Sequence, residues 1–305
     1  MSILKIKTPA TVANLVCGFD VLGMCLHDPF DEMEIALLGE KKVIIKSADG
    51  YQLPTDPAHN TAGAPLLEML KELSEEIGFE VTIHKRIKPG SGLGSSAASA
   101  AGAVVGANEL IGNKFSKIDL VRFAMFGEKV ASGVKHADNV APCIFGGITL
   151  IRSVFPLDII SIPAPPLFVT VVHPQIEVRT SDARQILRTE VLLKDAIKQW
   201  GNIGGLVAGF MKCDYGLISR SLEDVIIEPV RSILIPGFHE IKKQCKEAGA
   251  LGGGISGSGP SLFMLSTNEQ IATGLEQIMK EVYQKIGLDQ YTYVTTINTA
   301  GCSIL

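Results

Sequence analysis

The stretch Pro89–Ser99, PGSGLGSSAAS, constrains this chain more than any other. Gly90, Gly92 and Gly94 alternate, and a run of small residues then continues to Glu109. Glycine takes positive φ at little cost and lets another group approach the backbone closely. Ahead of the glycines, Phe79–Ile87 alternates as a strand does, with Phe79, Val81, Ile83 and Lys85 on one side. Behind them, Ala97–Ile111 is helix-forming, with Ser95 or Ser96 as the expected N-cap. A glycine turn feeding a helix N-terminus presents unpaired N–H groups and the positive end of a dipole, which suits phosphate. Taken alone, the stretch also reads as a tight turn that caps a helix, so its neighbours must decide. GxxxxGK[ST] is absent, which excludes a Walker-type loop. GxGxxG occurs at Gly252, Gly254 and Gly257, but after a helical segment and before the β-like run Ser261–Ser266. A dinucleotide fold needs strand then helix, so that match is coincidental.

A length of 305 residues predicts two domains, with a Pro-rich seam near 152–166 suggesting 1–155 and 156–305. With 46% hydrophobic and 20% charged residues, the chain can bury ordinary cores. A net charge of −4 offers no footprint for nucleic acid, and the apolar runs are too short for a membrane span. The start, MSILKIKTPATVANLVCGFD, has no compact signal-peptide core. The six cysteines are scattered without a CxxC pair, and no HExxH occurs. That pattern predicts reduced thiols in the cytoplasm and neither a zinc site nor a disulfide framework.

In chain order, Ile3–Lys7 reads as a strand, followed by a loop that carries Asn14 and Asp20 among small residues. Met33–Leu38 and Lys42–Ser47 read as a hairpin joined at Gly39–Lys41. Asn60–Ile77 and Lys117–Val130 have helical spacing. The second helix runs into a polar cluster with Glu128, His136, Asp138 and Asn139. Beyond the seam, strands Leu167–Val172 and Tyr291–Asn298 alternate with helices, an α+β pattern. Gly204–Gly205 is expected to kink or split the helical stretch Glu190–Met211.

Three segments then fall into a known order: PATVANLVCGFDVLG, PGSGLGSSAAS and GGGISGSGPSLFML. They span nearly the whole chain and resemble the three motifs of the GHMP small-molecule kinases. ANLVCGFDVLG, GEKVASGVKHADNVAP, RTSDAR and EPVR are most similar to the branch of that family that phosphorylates L-homoserine on the way to threonine. That branch usually carries Gly-Pro where this chain has Val16-Cys17.

The resemblance implies a two-domain α+β fold, with an N-terminal ribosomal-protein-S5-like α/β domain and a C-terminal ferredoxin-like α/β sandwich. It implies ATP and Mg²⁺, a cytoplasmic enzyme, no nucleic-acid or membrane partner, and the homodimer common among family members. ATP would lie over Pro89, Gly90, Ser91, Gly92, Leu93, Gly94, Ser95, Ser96 and Ser99, with Lys85 and Lys88 adding charge and Asn60 near the adenine. Ser96 and Glu128 would hold the metal. Homoserine is a zwitterion: Arg184 and Arg231 suit its carboxylate, Asp20 its ammonium, and Asn14 and Asn139 would orient it. The catalytic set would be Asn139, His136, Thr180 and Arg184. Some GHMP kinases place an Asp base where Asn139 stands, and an amide cannot act as a base. Catalysis is therefore expected to rest on in-line positioning and charge stabilisation, with the proton passing to a phosphate oxygen. Another GHMP kinase, such as a mevalonate kinase, and a non-catalytic binding module of the same fold are the alternatives.

Overall fold

The computed structural model describes residues 3–47, 51–178 and 180–305, without the side chains of residues 180 and 181. The first sheet is built from β1 (Ile3–Ala13), β2 (Leu22–Leu38), β3 (Val43–Ser47), β4 (Gly78–His84), β5 (Ile148–Val154) and β6 (Leu157–Ile162). Its remaining strand, β11 (Ser303–Ile304), comes from the far end of the chain and pairs with β1. Helices α1 (Gly63–Glu72), α2 (Ser95–Leu110), α3 (Lys117–Ser132) and α4 (Val140–Phe145) pack with this sheet around one core. The run of small residues in α2 has a packing cause. A Cβ on Gly102 would lie 2.1 Å from Thr8 Cγ2, and one on Gly106 would lie 2.0 Å from Ile6 Cδ1, so the helix sits directly on β1.

The second sheet has the order β10–β7–β9–β8 and is antiparallel throughout. It comprises β7 (Phe168–Pro174), β8 (Gly252–Ile255), β9 (Leu262–Ser266) and β10 (Gln290–Thr296). Helices α9 (Phe238–Glu247) and α10 (Glu269–Ile286) cover it. Between β7 and α9 in chain order come α5 (Thr180–Gln185), α6 (Leu193–Lys212), α7 (Tyr215–Ser221) and α8 (Glu228–Arg231). A further core joins both halves, with Val12, Leu22 and Met24 from the first sheet and Val169, Phe263 and Leu265 from the second.

Several sequence expectations are corrected. β2 and β3 follow one another but do not pair: β4 inserts between them, antiparallel to β2 and parallel to β3. Gly78 permits this, because a Cβ there would lie 2.1 Å from the Lys42 carbonyl oxygen. The α1 helix starts at Gly63 and stops at Glu72, short of Ile77. The α6 helix runs unbroken through Gly201, Gly204 and Gly205. The seam at 155/156 falls in the turn of the β5–β6 hairpin, so the first sheet continues to Ile162. The GxGxxG match is coincidental as expected, since Gly252 and Gly254 lie on strand β8 and open no helix.

Candidate active site

A cleft of about 630 Å³ is lined from both halves of the molecule. At one end lies the glycine stretch. Gly90, Gly92 and Gly94 all have positive φ, at 74°, 80° and 65°. The third glycine segment clamps this turn from behind: Ser256 Oγ donates to the Gly92 carbonyl (2.7 Å) and Ser261 Oγ to the Ser91 carbonyl (2.6 Å). A side chain on Gly92 would strike the Ser256 and Gly259 carbonyl oxygens at 2.6 Å. The expected serine cap is replaced by Gly94, which offers no side chain, so the first-turn N–H groups of α2 have no cap partner. The two serines are engaged elsewhere: Ser95 Oγ donates to the Ile87 carbonyl (2.8 Å) and Ser96 Oγ to Glu128 Oε1 (2.6 Å).

Pro89, Gly90, Gly92, Gly94, Ser95, Ser96 and Ser99 line the cleft, whereas Lys88, Ser91 and Leu93 do not. Lys88 donates to Gln175 Oε1 (2.8 Å). Lys85 is buried against Asp31 and also donates to the Ser95 carbonyl (2.9 Å) and Ser99 Oγ (3.2 Å). Burial pulls its pKa down and the Asp31 charge opposes that. With its ammonium so committed, Lys85 fixes the turn rather than extending charge to a ligand. Asp31, which carried no sequence signal, also accepts from the Arg86 and Ile87 N–H groups at 2.7 Å each. Asn60 lines the cleft, but its amide caps α1, accepting from Ala62 N (2.8 Å) and Gly63 N (3.2 Å).

Glu128 projects from α3 into the cleft and is buried, which raises its pKa, while the Ser96 hydroxyl opposes the rise. A desolvated carboxylate beside a hydroxyl and a phosphate-type turn suits a hard cation that draws its other ligands from phosphate oxygens and water. Among the described residues no group of three or more His, Cys, Asp or Glu could hold a metal without such help.

The other end of the cleft is made of side chains. Arg184 Nη2 bridges both carboxylate oxygens of Asp20, at 2.9 and 3.0 Å. The guanidinium groups of Arg184 and Arg231 both lie over the Phe19 ring, at 5.5 and 4.8 Å from its centre. Arg231 is buried, donating to the Ala183 carbonyl (2.9 Å) and the Gly257 carbonyl (3.2 Å). Burial first, and the Arg184 charge second, pull its pKa down to about 10. Arg184 Nε is buried and has no hydrogen-bond partner. Two converging cations with an unpartnered donor have the chemistry to suit a carboxylate. Asn14 is less a ligand than a staple: its Nδ2 donates to the Gly257 carbonyl (2.8 Å) and its Oδ1 accepts from Asp20 N (3.1 Å). The loop it holds is strained, since Asn14, Leu15, Val16 and Asp20 all take positive φ, and Val16 does so at 68°.

Between the two ends stands Asn139. Its Oδ1 accepts from Thr11 Oγ1 (2.7 Å), which turns the amide NH₂ group away from Thr11. Thr11 is fully buried against Gly94, where a Cβ would lie 2.0 Å from its hydroxyl oxygen. His136 Nδ1 lies 3.5 Å from Arg184 Nη2, and its Nε2 is buried without a partner. Burial lowers the His136 pKa, with the Asp20 charge opposing and the Arg184 charge assisting. Asp138 is buried, and desolvation, then the charges of Asp20 and Glu128, push it up to about 7. Thr180 opens α5, but its side chain lies outside the described residues.

The comparisons with known proteins bear on this cleft. Residues 62–147 match the model of the GHMP kinases N terminal domain, and residues 206–285 that of the GHMP kinases C terminal domain. A homoserine kinase of Chloroherpeton thalassium is 45% identical over 97% of this chain and 98% of its own. This chain belongs to the GHMP kinases. Its place within them is among the homoserine kinases. The crystal structure of homoserine kinase from Cytophaga hutchinsonii superposes with a TM-score of 0.96, at 47% identity, over 100% of this chain and 98% of that one. A homoserine kinase of Methanococcus vannielii is 39% identical over 95% of the chain and 98% of its own. Methanococcus jannaschii mevalonate kinase, at 16% identity and a TM-score of 0.67 over 97% of the chain and 98% of its own, shares the fold alone. The fold is therefore the two-domain α+β GHMP kinase fold, and the chain is an ATP-dependent kinase of that family.

Proposed function

We propose that the cleft transfers the γ-phosphoryl group of ATP to the side-chain hydroxyl of L-homoserine, giving O-phospho-L-homoserine. The observation that carries this reading is the pairing, in one cleft, of an uncapped helix N-terminus beside Ser96–Glu128 with an Asp20–Arg184–Arg231 receptor. The first suits a nucleotide's phosphates and the second an α-amino acid. Arg184 and Arg231 take the carboxylate, Asp20 takes the ammonium, and the Asn139 amide donates to the hydroxyl oxygen. The His136 Nδ1 accepts from Arg184, so its Nε2–H faces the acceptor as a neutral donor. No base is assigned: the hydroxyl proton passes to a phosphate oxygen as the P–O bond to the acceptor forms and the bond between the γ-phosphorus and the bridging oxygen breaks, releasing ADP, in keeping with a loose transition state.

Ser96 and Glu128 would hold Mg²⁺, which would supply counter-charge to the transferring phosphoryl group. The first half, its sheet running to Ile162, holds the nucleotide, and the second half completes an amino-acid end to which Asp20 and Asn139 of the first also contribute. All six cysteines are free thiols, which fits a reducing cytoplasm. Among the described residues no helix is long and apolar enough to cross a membrane, and neither nucleic acid nor membrane is part of the reading. ADP release measured with homoserine, with mevalonate and with no acceptor tests the proposal. Release that depends on homoserine and Mg²⁺ supports it; equal release with mevalonate or without acceptor overturns it.

A further inference from the structure

The phosphate turn has a second side. Pro89, Gly90, Gly92 and Gly94 face the cleft, whereas Ile87, Lys88, Ser91 and Leu93 line a separate cavity of about 260 Å³ on the reverse of the same segment. The cleft and this cavity share no lining residue. The far wall is the second sheet. His173 on β7 is the register partner of Tyr291 on β10, and Tyr293 follows two residues on, so the three side chains stand on one face. The cavity therefore lies where the two halves of the molecule meet, a common place for small-molecule sites.

Its lining is chemically specified. Lys88, expected at the nucleotide, instead stands here with Arg86, and no Asp or Glu is among the described lining residues. Arg86 pairs with Glu32 (2.7 Å), but Lys88 donates to the neutral amide oxygen of Gln175 (2.8 Å), so its charge meets no carboxylate there. Three of the chain's five tyrosines, Tyr51, Tyr291 and Tyr293, gather at this one cavity and give it an aromatic wall. His173 supplies the group that most calls for a partner. It is 3% exposed, and its Nε2 is buried without a hydrogen bond. The Ser261 hydroxyl gives its one proton to the Ser91 carbonyl (2.6 Å), so towards His173 Nδ1, 3.2 Å away, it acts as an acceptor. Nδ1 therefore carries the ring proton and Nε2 is a bare lone pair. Burial, then the Lys88 charge, pull the His173 pKa down to about 4, so the ring stays neutral.

We propose that this cavity is an effector site for a single-ring aromatic acid that bears a hydroxyl: the carboxylate meets Lys88 and Arg86, the ring lies among the tyrosines, and the hydroxyl donates to His173 Nε2. The volume falls below the range of about 300–1,000 Å³ for drug-sized sites, which limits the occupant to about one ring. Occupancy is felt in the cleft. Donation to Nε2 makes the Nδ1–H group a stronger donor to Ser261, and the Ser261 hydroxyl in turn a stronger donor to the Ser91 carbonyl. Ser91 sits between Gly90 and Gly92, so the clamp on the phosphate turn tightens and ATP binds more firmly.

Titration calorimetry of the full chain with 4-hydroxyphenylacetate, with and without a non-hydrolysable ATP analogue and Mg²⁺, forms the test. The expected result is one site per chain, with affinity raised about twofold or more by the analogue, since coupling between two sites is reciprocal. Phenylacetate, which lacks the hydroxyl, and 4-hydroxybenzyl alcohol, which lacks the carboxylate, should each bind at least about tenfold more weakly. Lys88→Met keeps the stem of a half-buried side chain and should weaken binding of the probe at least about tenfold. His173→Leu should remove the preference for 4-hydroxyphenylacetate over phenylacetate. A wild type that binds no probe overturns the proposal. So does a probe displaced by the ATP analogue, which would place it in the cleft. Equal affinity for phenylacetate, or a Lys88→Met variant that binds as wild type does, overturns it as well, and an affinity unmoved by the analogue overturns the coupling through Ser261. Calorimetry needs no turnover, so these results and the kinase reading, which stands on ADP release, fail separately.

Discussion

On the proposed reading, the two ends of the cleft solve recognition in opposite ways. The phosphate end is made of backbone, from one contiguous stretch, and is clamped before any ligand arrives by Ser256, Ser261 and the Asp31–Lys85 pair. The amino-acid end is made of side chains drawn from residues as far apart as Asp20 and Arg231, and two of its charged groups, Asp20 and Arg184, are already engaged with one another. A backbone cradle binds what all nucleoside triphosphates share. A side-chain receptor distinguishes one acceptor from another. Substitutions should therefore split by end: turnover and nucleotide use on one side, acceptor affinity on the other.

The strongest test of that split is Glu128→Gln. It keeps the Ser96 contact sterically but removes the buried charge, and kcat should fall on the order of 10³-fold with homoserine KM moved less than about threefold. Steady-state kinetics at saturating ATP and Mg²⁺ decide it; a comparable rise in homoserine KM would erase the distinction between the ends.

Arg231→Ala should do the converse. Loss of one buried partner of a carboxylate is expected to raise homoserine KM about 10²-fold while ATP KM stays within about threefold. Equal loss of both would mean that Arg231 serves mainly to hold Gly257 and the phosphate turn behind it.

Asp138, between the two ends, gives a pH signature. Its pKa is raised to about 7 by burial, so the folded state favours the protonated acid. That preference stabilises the fold below the unfolded value near 3.9 and is lost as pH rises to about 7. Asp138→Asn should gain on the order of 2 kcal/mol over wild type at pH 8 and nothing at pH 4, by urea unfolding across that range. A pH-independent difference would assign the effect to packing.

Val16→Gly is the smallest step. Relief of a β-branched residue at positive φ, less the extra chain entropy of glycine, should stabilise by about 1 kcal/mol. A lower urea midpoint would mean that the valine side chain, buried in the core shared by both halves, outweighs the strain.

The same contrast explains what could be read from residues alone. The phosphate turn is local, so the glycines and the strand and helix around them were legible; the cap moved from serine to Gly94, and the strand ends at His84, short of Ile87. The small residues of α2 were visible too, and their cause, contact with Thr8 and Ile6, needed the fold. The hairpin expected at Gly39–Lys41 failed because strand alternation does not say which strand is the neighbour. At the amino-acid end, Asp20, Arg184 and Arg231 came from the family resemblance, since no spacing links residues that far apart. Thr11 and Phe19 lie inside the first motif, yet their roles against Asn139 and the arginines are tertiary facts. Asp31 left no local trace at all.

The Asp20–Arg184 bridge has a consequence for molecules that resemble the substrate only in part. While the pair is closed, Asp20 and Arg184 neutralise one another and only the buried Arg231 is left without a counter-charge, so a simple amine finds no free carboxylate and a simple acid finds one cation instead of two. An amine that opens it strands Arg184 with no counter-charge, and an acid strands Asp20. A ligand bearing both groups at amino-acid spacing replaces each half of the bridge and leaves nothing unmatched. The bridge thus filters by conjunction, admitting what satisfies two conditions at once and turning away whatever meets only one.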